Sequence, residues 1–224
     1  MKIAVLGKGK TGKEVIDLLQ GHQITVFDRT NIPTLVKLKG HDVIISFLPG
    51  DVFMSIIPTL VDSKIPVVCG STGFEWPRTL NFKLKDQKIR WIYSSNFSLG
   101  MNLVQQMIIT LNRAQKIFTE YQFSLHEVHH TQKMDAPSGT ALSWKKWLNL
   151  PVEITHDRTG DVIGFHELKL DTPNETITIA HNAKSRKIFA EGAVFAAKKL
   201  ASDMTIPYGL NSFQDIISDE LKFR

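Results

Sequence analysis

Short apolar runs and helix-like stretches alternate through the first hundred residues. Residues 3–6, 23–27, 41–48, 65–69 and 89–94 are rich in apolar, mostly β-branched or aromatic residues and predict strands, while 13–20, 33–39 and 51–62 carry helix-like spacing. Strands joined by helices in this way predict a parallel sheet. Residues 102–116 form a further helix with Leu103, Met107 and Leu111 on one side, a packing pattern. From Tyr121 the texture changes. Tyr121, Phe123, Leu125 and Glu127 alternate with polar residues and predict a strand, followed by strands over 152–156, 162–170 and 175–181, with a turn at Thr172-Pro-Asn-Glu175. An Ala-rich helix over 190–200 suits close packing, so the tail is expected to fold back on the first domain. Two domains follow: residues 1–98 with 187–224, and 99–186.

The strand ends carry the first chemical signal. Gly7-Lys-Gly-Lys-Thr-Gly12 stands between the first strand and the first helix. Gly7 permits the tight turn, Gly9 lets the backbone approach a pyrophosphate, and Gly12 allows helix and strand to pack closely. The second strand ends in Asp28, where a carboxylate would bind the adenosine ribose hydroxyls; Arg29 beside it could stack on adenine or pair with a 2′-phosphate, which leaves NADH and NADPH both open. Gly70-Ser-Thr-Gly73 and Ser95-Asn-Phe-Ser98 follow later strands at the edge where ligands bind. The fold class is therefore α/β: an N-terminal Rossmann-like dinucleotide-binding domain with a smaller α+β domain on an open sheet.

The densest chemistry lies between Ser124 and Leu142. Glu127, His129, His130 and Lys133 can move or stabilise protons, and Pro137-Ser-Gly-Thr140 reads as a turn into a helix whose free N–H groups suit an anion. His126-Glu-Val-His-His130 also satisfies the H-E-x-x-H pattern of zinc proteases, which requires a helix. On a strand, His126 and His130 would stand roughly 13 Å apart at about 3.3 Å per residue, so no metal is expected. Neighbouring strand residues point to opposite faces, so at most one of His129 and His130 leads the chemistry. The segment fits a small polyanionic substrate.

Composition narrows the partners. The chain has 224 residues and a formal net charge of +5, but its basic residues are dispersed without an aromatic-interleaved patch, which argues for small anions rather than nucleic acid. The single cysteine, Cys69, sits in an apolar run and reads as a small buried hydrophobe. No apolar run is long enough for a membrane span, and the N-terminal one stops at Gly7, so a cytoplasmic location is expected.

Glu127-Val-His-His-Thr-Gln-Lys-Met-Asp-Ala-Pro-Ser-Gly-Thr-Ala141 resembles the signature of the dihydrodipicolinate reductase family. The resemblance extends in order through the glycine turn, Gly70-Ser-Thr-Gly-Phe74, Ser95-Asn-Phe-Ser-Leu-Gly-Met-Asn102, Arg158-Thr-Gly-Asp-Val-Ile-Gly-Phe-His166 and His181-Asn-Ala-Lys-Ser-Arg186. It implies nicotinamide-dependent reduction of 4-hydroxy-tetrahydrodipicolinate in lysine biosynthesis, with His129 as proton donor and acceptor and Lys133 as proton donor. His130, Gly139 and Thr140 would bind the dicarboxylate substrate, aided by the helix-start amides from Ser138. Gly7, Lys8, Gly9, Lys10, Thr11 and Gly12, then Asp28 and Arg29, then Gly70, Ser71 and Thr72, and finally Ser95, Asn96, Phe97 and Ser98 would bind the cofactor, the last two loops at the nicotinamide end. The second domain would also join a homotetramer. Residues 141–158 are shorter than in typical members, which leaves a non-catalytic dinucleotide-binding module as one alternative; another reductase of a small amino or keto acid, which should lack the Lys133 to Thr140 constellation, is the second.

Overall fold

The structure is a computed structural model that describes residues 1–221. The chain divides into two compact units, one of Met1–Leu99 with the chain from Lys187 onward, the other of Gly100–Arg186. Residues 222–224, the end of the first predicted domain, lie outside the described residues.

The elements run β1 (Lys2–Leu6), α1 (Lys10–Leu18), β2 (Gln23–Phe27), α2 (Leu35–Leu38), β3 (Val43–Ser46), α3 (Gly50–Ser63), β4 (Val67–Cys69), α4 (Leu80–Asp86) and β5 (Arg90–Tyr93). After α5 (Leu99–Ala114) come β6 (Gln122–His129), α6 (Gly139–Leu148), β7 (Glu153–Arg158), β8 (Phe165–Asp171), β9 (Thr176–Asn182), α7 (Lys187–Ser202), β10 (Gly209–Ser212) and α8 (Phe213–Glu220).

In the first unit six strands lie in the order β10-β5-β4-β3-β1-β2, all pairs parallel. The continuous apolar runs have their physical reason here: β3 and β4 are buried throughout, as strands covered on both faces must be. One face packs Val15 of α1, Leu19 at its C-cap and the alanines of α7 against Val5, Val68 and Ile92. The other packs Phe53, Ile57 and Leu60 of α3 and Leu80 and Leu84 of α4 against Leu6, Ile44 and Trp91. The small residues of α7 are needed for contact, since a Cβ on Gly192 would sit 1.7 Å from the Phe97 carbonyl oxygen. Because β2 and β3 flank β1, the chain reverses its winding at β1, and the carboxyl ends there form the crevice in which such sheets bind ligands. Cys69 is buried, and burial pushes its thiol up to about 12, against opposing hydrogen bonds from Ser71.

Three elements of this unit escape the hydrophobic pattern. Helix α4 buries only Leu80 and Leu84, β10 is Gly-Leu-Asn-Ser without an apolar run, and α8 buries only Phe213 and Ile217. Polar contacts hold β10 in place: Asn81 accepts from the Leu210 N–H, and the Asn211 side chain donates to the Trp91 carbonyl.

The second unit is a mixed four-stranded sheet in the order β7-β6-β8-β9, parallel between β6 and β7 and antiparallel elsewhere. Its core joins Ile108 and Leu111 of α5 and Trp144 and Leu148 of α6 to Phe123, Leu125, Leu168 and Leu170. Strand β8 starts three residues later than the apolar pattern suggests, because Gly164 passes beside a histidine: a Cβ there would approach the His129 ring to 3.0 Å. Among the described residues, no helix is long and apolar enough to cross a membrane.

Candidate functional site

In the first unit the chain leaves β1 through Gly7, whose φ of +99° is the left-handed region that glycine tolerates. A Cβ on Gly12 would lie 2.0 Å from the Gly7 carbonyl oxygen, so this glycine sets how closely α1 packs on the turn. Gly9 differs. It is the N-cap of α1, no side chain caps the helix, and a Cβ there would meet nothing within 4 Å. The helix-start N–H groups are therefore open to an anion, with the positive end of the helix dipole behind them. Beside them lies a cavity of about 650 Å³ lined by Gly7, Lys8, Gly9, Asp28, Arg29 and Val52 among others. Lys10, Thr11 and Gly12 form the first turn of α1 rather than its wall.

Asp28 closes the far side of that cavity. Its Oδ1 accepts from the Thr30 N–H, the Thr30 hydroxyl and the Asn31 N–H, and the Thr30 bonds foremost hold the carboxyl below its ordinary value. A smaller cavity of about 230 Å³ is lined by Ser71, Thr72, Tyr93 and Ser95, with Gly70 in the same loop and packed under the Phe47 ring. Asn96 accepts from the Ser98 N–H and fixes the second loop, whereas the Phe97 ring is core, packed edge-on against Phe47 and tilted against Phe213. These residues fit a dinucleotide: an open helix start, an acidic strand end and a groove without a Cβ at its centre. Accordingly, Gly9→Ala should fold normally and weaken dinucleotide binding by at least about tenfold, whereas Gly12→Ala should lower stability by about 2 kcal/mol or more. Titration of cofactor fluorescence beside thermal unfolding separates the two.

The second unit gathers acid–base groups around a buried carboxylate. Strand β6 buries Phe123, Leu125, Glu127 and His129 on its inner face. Antiparallel pairing brings His166 opposite Glu127, and parallel pairing brings Arg158 opposite His129. Glu127 is 0% exposed; its Oε1 accepts from Arg158 Nη2 at 2.9 Å and from the Ser138 N–H at 3.0 Å. Its Oε2 lies 3.5 Å from both His129 Nε2 and His166 Nε2. Burial alone would raise the Glu127 pKa, but the bonds from Ser138 and Arg158 outweigh it and hold the carboxyl below its ordinary value. Burial pushes the His129 pKa down, partly opposed by Glu127, and pushes His166 down to about 4. The Ile163 carbonyl, 3.1 Å from His129 Nδ1, accepts a hydrogen bond from the N–H there, leaving Nε2 as the nitrogen that faces the cluster.

Ser138 joins this cluster to a helix start. Its Oγ accepts from the Ala141 N–H as the N-cap of α6 and lies 3.2 Å from His166 Nε2. With the Ser138 amide held by Glu127, Gly139 and Thr140 supply the next N–H groups of the α6 start. His130 is half-buried just past β6. Lys133 is already paired, its Nζ 2.6 Å from Asp135 Oδ1. The H-E-x-x-H pattern is strand rather than helix, with His126 to His129 on β6 and His130 just past it, and His126 is on the other face against Thr155 and Asp157.

Arg158 and His166 received no role from the sequence. Both stand at strand ends of a glycine-rich stretch, and only the pairing register of β6 with β7 and β8 brings them to Glu127. A buried glutamate on an apolar strand face was the available signal, since such a charge requires a partner.

One unit with a parallel sheet, an open glycine turn and an acidic strand end, and a second unit built on buried acid–base groups, are the parts of a dinucleotide-dependent oxidoreductase. Family models of the dihydrodipicolinate reductase match both parts, the N-terminus over residues 22–97 and the C-terminus over residues 100–217. The chain belongs to the dihydrodipicolinate reductase family. It is 32% identical to the 4-hydroxy-tetrahydrodipicolinate reductase of Thermosipho africanus over 98% of this chain and 99% of that one. It is 30% identical to the enzyme of the same name from Bdellovibrio bacteriovorus, over 99% and 98%. In fold it is similar to the dipicolinate-bound dihydrodipicolinate reductase from Paenisporosarcina sp. TG-14, with a TM-score of 0.78 and 19% identity over 96% of this chain and 99% of that chain. The Thermosipho alignment takes in nearly all of both chains, so the two are of similar length. Membership implies a nicotinamide cofactor.

Proposed function

We propose that this chain reduces 4-hydroxy-tetrahydrodipicolinate to tetrahydrodipicolinate with NADH or NADPH. Overall, the C4 hydroxyl leaves as water together with one hydrogen from the ring, and the ring takes up a hydride and a proton in exchange. The observation that carries the reading is the buried Glu127–His129–His166 cluster joined through Ser138 to the start of α6: proton carriers beside an anion-binding helix end. NAD(P)H supplies the hydride when bound. The chain's own residues do the rest. The Gly7 to Gly9 turn with the open N–H groups at the α1 start, Asp28 and Arg29 hold the adenosine and pyrophosphate, and Gly70 to Thr72 with Ser95 to Ser98 border the nicotinamide. The N–H groups of Gly139 and Thr140, with His130, hold a substrate carboxylate, while Ser138, bonded to Glu127 through its N–H and capping α6 through its Oγ, fixes the helix start behind them. His129 takes up a proton at Nε2, where Glu127 Oε2 stabilises the imidazolium, and passes it to the substrate. Lys133 exchanges Asp135 for the substrate, as donor or carboxylate partner.

Loss of nicotinamide absorbance with freshly generated substrate tests the assignment. Turnover is expected with at least one cofactor. Intact cofactor binding without turnover would favour the non-catalytic module. In the same assay Arg29→Ala should weaken NADPH more than NADH, and equal weakening would count against a 2′-phosphate contact. The open outer face of the second sheet, where β7 and β9 are largely exposed, supports assembly as a homotetramer through that sheet.

A further inference from the structure

The contacts inside the Glu127 cluster have an unusual length. Glu127 Oε2 stands 3.5 Å from His129 Nε2 and 3.5 Å from His166 Nε2, and the two nitrogens are 3.3 Å apart. Hydrogen bonds between such atoms centre nearer 2.9 Å, with about 3.2 Å the usual upper end. An edge of a tetrahedron around Zn²⁺ with bonds of about 2.0–2.1 Å is about 3.3–3.4 Å long. The three atoms are thus spaced as three corners of a zinc tetrahedron. All three side chains are buried, with exposures of 0% for Glu127, 7% for His129 and 3% for His166, so none is a flexible surface group that happens to approach.

The surroundings also suit a metal. The Ile163 carbonyl at His129 Nδ1 directs the Nε2 lone pair inward, and Arg158 with the Ser138 amide holds Glu127 through its other oxygen. Outer contacts of this type orient ligands in zinc sites, and two imidazoles with one carboxylate are a known donor set for zinc with an open fourth position. Ser138 Oγ lies 3.2 Å from His166 Nε2, a further oxygen next to the cluster. Arg158 works the other way: its charge offsets that of Glu127 and weakens the attraction for a second cation. A site of this composition binds reversibly rather than retaining a permanent ion.

We propose that Glu127, His129 and His166 form a Zn²⁺ site whose occupation stops the reductase by taking His129 Nε2 out of proton transfer. The inhibition rests on the role given to His129 under the proposed function; the metal site does not.

Co²⁺ is the probe for the site itself, titrated into the intact chain without substrate or cofactor. One equivalent per chain with the intense visible bands of four- or five-coordinate Co²⁺, displaced by Zn²⁺ and lost in His166→Ala, is expected. Only the weak bands of octahedral Co²⁺, or an unchanged spectrum in His166→Ala, would overturn it. His166→Gln provides the same comparison if the alanine variant does not fold. In the activity arm, Zn²⁺ should slow turnover and a chelator restore it. His166→Ala, normalised to its own rate, should raise the half-inhibiting Zn²⁺ concentration at least about tenfold. Tight Co²⁺ binding with undiminished turnover in Zn²⁺ would reject the inhibitory half. Absence of reductase activity would count against the proposed function and leave the Co²⁺ result to decide the site.

Discussion

Replacing Arg158 by methionine should destabilise the protein by about 3 kcal/mol at neutral pH, the low end of what removing one partner of a buried ion pair produces. Glu127 has no exposure, and Arg158 Nη2 is the cation on its Oε1. Methionine keeps most of the apolar stem and removes the charge, so the loss reports the stranded carboxylate rather than lost packing. The pH dependence sharpens the test. In the native chain the Glu127 carboxyl lies below its ordinary value, so its contribution is present above the unfolded carboxyl range, about 4.3, and disappears as pH falls through the lower folded value. Without Arg158 the carboxyl should rise above the unfolded value, and the variant then loses least when Glu127 is protonated. The gap between native and variant in urea unfolding should therefore narrow from pH 7 to pH 4. A gap constant with pH would mean that the charge is not the cause, and a Glu127→Gln, Arg158→Met double variant should recover much of the loss.

His129→Gln and Lys133→Ala should each lower turnover by a factor of about 10² or more with little change in cofactor affinity. Glutamine is the better probe at the buried His129, where alanine would open a cavity below Gly164. The two losses have different physical origins. His129 is fixed on both nitrogens, by Ile163 and by the cluster, so its loss should appear in kcat. Lys133 is on a turn and ion-paired with Asp135, and replacing it should raise KM as well. Equal loss of cofactor binding in either variant would remove these residues from the chemistry.

Most of the architecture was readable because its elements announce themselves by period. Strands β1 to β5 are apolar runs separated by helices, and β6 alternates cleanly from Phe123 to His129. Helix α4, strand β10 and helix α8 were not readable, since two buried residues or a Gly-Leu-Asn-Ser stretch give no periodic signal. At the site, local motifs were legible and long-range ones were not. The glycine turn and the Pro137 to Thr140 helix start act within a few residues of themselves. Arg158 and His166 reach Glu127 across 31 and 39 residues through strand register, and a one-residue slip would turn either to the other face. The distant pairing also changes the reading of Glu127, from one proton carrier among several to the centre of the cluster.

The first unit is assembled from two separated stretches of chain, and this orders events during synthesis. The central strands β1, β3, β4 and β5 leave the ribosome early, but the alanines of α7 that cover Val5, Val68 and Ile92 are made only after residue 187. The Gly100–Arg186 unit, by contrast, is one uninterrupted stretch. On a growing chain the later unit can finish first, while the dinucleotide sheet waits half-covered, its apolar face a surface for a chaperone, until the last helices arrive.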